Sequence, residues 1–347
     1  MSDSIERVLA GFRAGKSAAL ARVVSIVENH RNGYDRLLAS IHPDLGRARR
    51  IGITGPPGAG KSTVTARLAR AYRSSGLRVG IVAVDPTSPF TGGALLGDRI
   101  RMEDVALDPG VFIRSMATRG SLGGLATATR EVCDVLDGFG MDVILLETVG
   151  VGQSELDISR AADTTVVVLV PESGDSIQTL KAGVMEIADI FAVNKADRPG
   201  ADRLRNDIEL MLGLRSGAAP AGVSGRVGST DLWTPPVLRT IAVKGEGIDD
   251  LVNALDRHFH YLQVSGELRI RRRQRLRERV MEVVEQQVRV RLWHDDATLQ
   301  WLDDQLPLLE DGTLAPFAVA DTLRARSVLL LTGAAHTPVS GLLPGTN

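Results

Sequence analysis

Between residues 49 and about 260 the chain repeats one pattern. Short apolar runs, rich in β-branched residues, fall at 51–54, 79–84, 111–113, 142–146, 165–170, 190–194 and 237–243, with helical stretches between them. Runs that are apolar throughout, rather than alternating with polar residues, predict strands buried on both faces. Strands that alternate with helices predict an α/β fold whose mostly parallel sheet is covered by helices on both faces. Residues 1–48 read as helices. Ile5, Val8, Leu9 and Phe12 recur at helical spacing, Gly15 breaks the run, and Ser17 is placed to cap a second helix carrying Leu20, Val23, Val24 and Val27. Pro43 and Gly46 end a third, short segment. Helical patterning resumes over 262–331, where Leu276, Val280, Val283, Gln287 and Val290 step 4-3-4-3 in a heptad-like seam. Arg269, Arg271, Arg272, Arg273, Arg275, Arg277 and Arg279 crowd the start of that seam. They read as a solvated helix face or, more sharply, as a contact to a second subunit or an acidic partner. The Gly-, Ser- and Ala-rich stretch 213–232 predicts a flexible surface loop, and 332–347 a loose tail. The expected organisation is an N-terminal helical extension (1–48), a central domain (49–261), a C-terminal helical segment (262–331) and a tail (332–347).

Composition narrows the classes. With 44% hydrophobic residues the 347-residue chain can bury a large core. A formal net charge of −1 gives no global electrostatic case for nucleic acid or an anionic membrane. No apolar run approaches a membrane span, the first residues carry Asp3, Glu6 and Arg7 rather than an apolar signal core, and the one cysteine, Cys133, allows no internal disulfide. A soluble, cytoplasmic protein is expected, with Cys133 as a small core residue on a helix.

The chemistry gathers at strand ends. The run at 51–54 leads into Gly55-Pro56-Pro57-Gly58-Ala59-Gly60-Lys61-Ser62, a full match to the phosphate-binding loop pattern, with Thr63 to Arg73 following as a helix. Glycines let successive backbone N–H groups turn toward a phosphate, and the helix N-terminus adds partial positive charge. Lys61 then reaches the β- and γ-phosphates and the Ser62 hydroxyl ligates Mg2+. The competing reading, a Gly-rich turn that binds nothing, would bury a lysine without an anion at considerable cost. This loop makes the central domain a P-loop NTPase.

Three further strand ends refine that reading. Val79–Val84 ends in Asp85-Pro86-Thr87-Ser88, which places Asp85 to hold magnesium directly or through water; Asp98, in a Gly-rich loop, is a second candidate, and either side chain can instead cap a helix. The run 142–146 leads into Glu147-Thr148-Val149-Gly150, the spacing with which GTPases sense the third phosphate: the acid orients the metal, and the Gly150 N–H meets the γ-phosphate. Val151 stands where Ras-like proteins keep a water-orienting glutamine, so intrinsic hydrolysis is expected to be slow unless Gln153 or a partner residue assists. The run ending at 193 opens into Asn194-Lys195-Ala196-Asp197. In N-K-x-D the carboxylate accepts from guanine N1 and N2, a donor pair adenine lacks, while Lys195 covers the base face. A backbone N–H near Ala242 is placed to meet guanine O6. GTP or GDP is thus the expected ligand. The six histidines are scattered, without zinc or nickel spacing.

Taken with the segments 92–98 and 116–124, these motifs make the chain resemble the methylmalonyl-CoA mutase-associated GTPases, the MeaB/ArgK group, from the N-terminal helices to about residue 330. The resemblance implies a homodimeric GTPase that gates cofactor loading into, and protects or reactivates, an adenosylcobalamin-dependent acyl-CoA mutase. By matching position it assigns Lys61, Ser62, Asp85, Asp98 and Glu147 to phosphate and magnesium, and Asn194, Lys195 and Asp197 to guanine. Gly174 to Lys181 resembles the loop that relays nucleotide state to the mutase, with Gln178 and Lys181 as relay candidates. The C-terminal helices resemble the family's dimerisation arm. Two positions depart: Ile241-Ala242 replaces the usual Ser-Ala, which keeps a backbone contact to the base but loses a hydroxyl, and Thr179 and Ala182 alter the relay loop. The alternatives are a kinase or transport-coupled ATPase, disfavoured by the guanine motif, and a nickel-insertion GTPase, disfavoured by the lack of a His-rich tract or a Cys-x-x-Cys pair.

Overall fold

A computed structural model of the chain describes residues 2–86, 102–118, 124–148, 154–171, 185–216 and 232–332. Seven strands form one sheet: β1 (Arg49–Thr54), β2 (Val79–Pro86), β3 (Val111–Thr118), β4 (Val143–Thr148), β5 (Thr164–Leu169), β6 (Ile190–Asn194) and β7 (Val237–Thr240). Their order is β3-β2-β4-β1-β5-β6-β7, and every pair is parallel. Each apolar run of the sequence therefore became a strand. β4 and β5 are buried along their whole length, as strands covered on both faces must be. The run that begins at 237 stops as a strand at Thr240. Ile241 instead bridges back to Glu246, closing a tight turn that leaves the sheet.

Helices cover both faces. On one, α1 (Ser2–Arg13), α2 (Ser17–Glu28) and α3 (Tyr34–Ile41) pack with α5 (Gly124–Gly138) and α6 (Ser154–Ala161) over Val82, Val84, Ile144 and Leu146. Leu20, Val23, Val24 and Val27 are the buried stripe of α2, as their spacing requires. Ser17 is the first residue of that helix rather than its cap; Lys16 takes the capping position and no side chain closes the end. Asp137, in the last turn of α5, accepts hydrogen bonds from the consecutive N–H groups of Gly46, Arg47 and Ala48, which aims the chain into β1. Cys133 lies buried on the same helix, and burial pushes its thiol up to about 12. On the other face, α4 (Lys61–Ser74) and α8 (Ile248–Ser265) pack over Ile53, Ile81, Leu145 and Val168. Between β6 and β7, α7 (Ala201–Ser216) continues through Gly213, so helix occupies the start of the stretch read as a loop, and 217–231 lie outside the described residues.

The packing divides the chain into two units, residues 1–275 and 276–347. The first ends inside α9 (Glu267–Trp293), and the second holds the rest of that helix with α10 (Asp296–Glu310) and α11 (Pro316–Thr332). Within the first unit the basic run proves to be neither a solvated face nor a contact with another molecule at three of its positions. Arg272 and Arg275 both engage Asp163, just before β5, and Arg271 makes a two-pronged contact to Asp189, just before β6. Arg272 also donates to the carbonyls of Gly46 and Ala48, and Arg275 to that of Ala161. Burial would raise the Asp163 carboxyl, but the Arg275 charge and the Arg272 hydrogen bonds outweigh it and hold the group at about 2. No described helix is long and apolar enough to cross a membrane.

Candidate nucleotide site

Parallel strands present all their carboxyl ends at one edge of the sheet, and loops carrying ligand chemistry collect there. β1 occupies the middle of this sheet, between β4 and β5, so the loop that follows it is flanked by the ends of both. Gly55, the first loop residue, has φ 137°, and a side-chain carbon there would stand 2.0 Å from the Val168 carbonyl oxygen. Only glycine fits against β5 at that point. Gly60 has φ 87° and sits where a side chain would meet the Asn194 amide at 2.5 Å. Pro57 and Gly58 lie exposed at the loop tip, Ala59 is buried, and α4 begins at Lys61, with Ser62 and Thr63 in its first turn.

Lys61 is buried at the head of α4, and its Nζ donates to the carbonyls of Gly55 (2.9 Å) and Pro56 (3.0 Å). The ammonium thus lies folded along its own loop. Ser62 donates from Oγ to Oε1 of Glu147 at 2.5 Å, with both side chains buried. Glu147 sits in the register where β4 pairs with Ile53 of β1 and with Ala83 of β2, so the sheet brings these two oxygen groups together. Next to them Thr148 donates to Thr54, tying β4 to β1 at the foot of the loop. Asp85 falls in the register of Ala117 near the end of β2, but its side chain lies outside the described residues. Asp98, Gly150, Val151, Gln153, Gln178 and Lys181 also lie outside them.

The second half of the site is built around Asn194, the last residue of β6 and 3% exposed. Its Nδ2 donates to the Ala59 carbonyl at 2.8 Å. Its Oδ1 accepts from the Thr240 hydroxyl (3.2 Å) and from the Ala242 N–H (3.1 Å). One side chain therefore joins the phosphate loop to the turn after β7. Lys195 follows with φ 55°, a left-handed conformation uncommon outside glycine and concentrated at functional turns. The turn closes through Arg198 N–H to the Lys195 carbonyl and Ala196 N–H to the Thr240 carbonyl, and it leaves Asp197 exposed. The Ala242 N–H, expected near guanine O6, is engaged by Asn194 in this arrangement.

One participant escaped the sequence reading. Arg67, on α4, donates from Nε to the Ala242 carbonyl (2.9 Å) and from Nη2 to the Val243 carbonyl (2.6 Å). Its partners are main-chain atoms more than 170 positions away, so no residue pattern announces the contact.

A parallel sheet whose central strand runs through a glycine-rich loop into a helix headed by Lys-Ser, with Asn-Lys-x-Asp at the end of a nearby strand, defines a P-loop GTPase. The chain belongs to the family described as methylmalonyl-CoA mutase-associated GTPase MeaB, which matches residues 20–297. A protein of Pyrococcus horikoshii that carries a GTPase name is 44% identical over 324 residues, 93% of this chain and 98% of that protein. The methylmalonic aciduria type A homologue of Mus musculus, a mitochondrial protein, is 32% identical over 340 residues, 92% of this chain and 78% of that one. A crystal structure described as a LAO/AO transport system kinase superposes with a TM-score of 0.68 at 27% identity, covering 94% of this chain and 99% of its own. The protein is accordingly a GTPase that binds guanine nucleotide through a P-loop domain.

Proposed function

We propose that this GTPase serves as a switch for an adenosylcobalamin-dependent acyl-CoA mutase, methylmalonyl-CoA mutase or a relative. In this role it gates cofactor loading and protects or reactivates the mutase. The observation that carries the reading is the match over 20–297 to a family described as mutase-associated, to which the name of the mouse relative adds weight. At the site, the backbone of Gly55, Pro57, Gly58, Ala59, Gly60 and Thr63 cradles phosphate while Lys61 neutralises it. Asp197 and Lys195 read and cover guanine, and Asn194 positions the Ala242 edge. The buried Ser62 hydroxyl and Glu147 carboxylate are hard oxygen donors side by side, a set that fits Mg2+, and Asp85 and Asp98 complete it. The metal, when bound, neutralises charge on the β- and γ-phosphates. Slow intrinsic hydrolysis follows from Val151 and makes the GTP state long-lived; the Gly150 N–H senses the γ-phosphate, and Gln178 and Lys181 relay that state to the partner.

A second copy of the chain is the proposed partner of the C-terminal unit. Leu276, Val280, Val284 and Val290, within about a third of a turn of one another, are all at least two-fifths exposed, and no residue of α9 is buried. An apolar stripe of that length in solvent is the mark of an interface. The test is a pull-down from the native cytoplasm with the protein loaded with a non-hydrolysable GTP analogue. Recovery of a cobalamin-dependent mutase subunit is expected. Recovery of a phosphorylated transport protein instead, with phosphate transferred from ATP, would replace the reading.

A further inference from the structure

The turn after β7 is held from two sides. Asn194 takes its N–H edge, through Ala242. Arg67 takes its carbonyl edge, through Ala242 and Val243. Within the turn, Lys244 N–H returns to the Ile241 carbonyl, Gly245 N–H to the Ala242 carbonyl, and Ile241 N–H to the Glu246 carbonyl. The Ala242 carbonyl therefore accepts from both Gly245 and Arg67. A planar trans peptide points its N–H opposite to its carbonyl, so drawing the Ala242 carbonyl toward α4 fixes the Val243 N–H on the far side. A guanidinium suits this task because its nitrogens donate in a rigid fork and reach two carbonyls together. Arg67 has no carboxylate at ion-pair distance among the described residues; its donors named here serve main chain alone. Its place is also informative. Arg67 rises from the same helix that begins with Lys61 and Ser62, so the phosphate end of the site and the turn at its base end are set by one rigid element.

We propose that Arg67 is a positioning residue for base recognition, holding the 241–245 turn so that its peptide N–H edge meets the oxygen at the purine 6-position. This rests on the guanine reading of the site and adds a residue that the recognition motifs do not contain. It also answers the loss of a hydroxyl at Ile241: the turn is ordered by a side chain from α4 in place of one of its own.

The test is equilibrium binding of two diphosphates that differ only at the 6-position: GDP, and 6-thioguanosine diphosphate, which keeps the N1–H and the 2-amino group and carries sulfur, a weaker acceptor, in place of O6. The wild-type protein is expected to favour GDP. Arg67→Gln is expected to weaken GDP about tenfold, the loss of roughly one hydrogen bond, and to change the 6-thio analogue less than about twofold. Arg67→Lys, which still donates to one carbonyl, should recover part of the preference, and it decides the matter if the glutamine variant does not fold. Equal weakening of both ligands in the variants, or no change in either, overturns the proposal while leaving guanine recognition intact. A wild-type protein indifferent to the 6-position removes the O6 contact itself and the proposal with it.

Discussion

Asn194→Ala separates the structural from the recognition work of the guanine motif. The side chain is 3% exposed and makes three hydrogen bonds, to the Ala59 carbonyl, the Thr240 hydroxyl and the Ala242 N–H. Alanine reaches none of them. Two of the partners are main-chain groups of buried residues, each costing about 1 kcal/mol or more when left without a partner, while the Thr240 hydroxyl can rotate toward another acceptor at about 0.5 kcal/mol. With the small void left by the amide, the sum is about 3 kcal/mol. For a folding unit of 275 residues this corresponds to a fall in Tm of about 6 °C, at roughly 2 °C per kcal/mol. Thermal unfolding without added nucleotide reads this directly. Asp197→Ala is the control: that side chain is exposed, and its removal should shift stability by less than about 0.5 kcal/mol. A common melting temperature for wild type and Asn194→Ala would refute the claim that Asn194 ties the phosphate loop to the turn after β7. An equal loss in both variants would refute the division of labour between the two residues.

Further outcomes follow from the same geometry. Lys61→Ala, which removes the buried ammonium at the head of α4, should weaken GDP by about 100-fold in a fluorescent-nucleotide titration. Asp197→Asn should move base preference from guanosine toward xanthosine nucleotide by roughly 10⁴-fold, and an unchanged preference in competition binding would refute the guanine role of Asp197. Asp163 has a folded-state value near 2, below its ordinary 3.8, so its contribution of about 2 kcal/mol is fully present above pH 4 and disappears as pH falls from about 4 toward 2. Urea titrations across that window should show the loss in wild type and a flatter profile in Asp163→Asn.

The sheet was legible because its signal is local. A strand buried on both faces must be apolar along its length, and the inner strands β4, β5 and β6 obey that rule throughout, while the edge strands β3 and β7 are partly exposed and carry Arg114 and Arg239. The strand–loop–helix around Lys61 and the glutamate at the end of β4 were legible for the same reason: loop chemistry and strand ends are close in sequence. Misreadings arose where the deciding contact is distant. Arg271, Arg272 and Arg275 look like a solvated helix face until Asp163 and Asp189, more than 80 positions earlier, are placed against them. Gly213 suggested the start of a loop, yet nothing crowds it and α7 carries through. Arg67 left no trace at all, since its acceptors are carbonyls and any residue has one.

The arginines of α9 also limit how this protein can be divided. A cut after residue 261, where the recognisable P-loop pattern ends, would remove Arg271, Arg272 and Arg275, leaving Asp163 without either arginine and, among the described residues, with only the Arg50 N–H, and Asp189 with only the Thr165 N–H and His258. Breaking a buried ion pair from one side costs about 3–5 kcal/mol, a large part of the margin that keeps a domain folded. A minimal nucleotide-binding fragment therefore has to run through Arg275, carrying the first two turns of a helix whose remainder lies in the other unit.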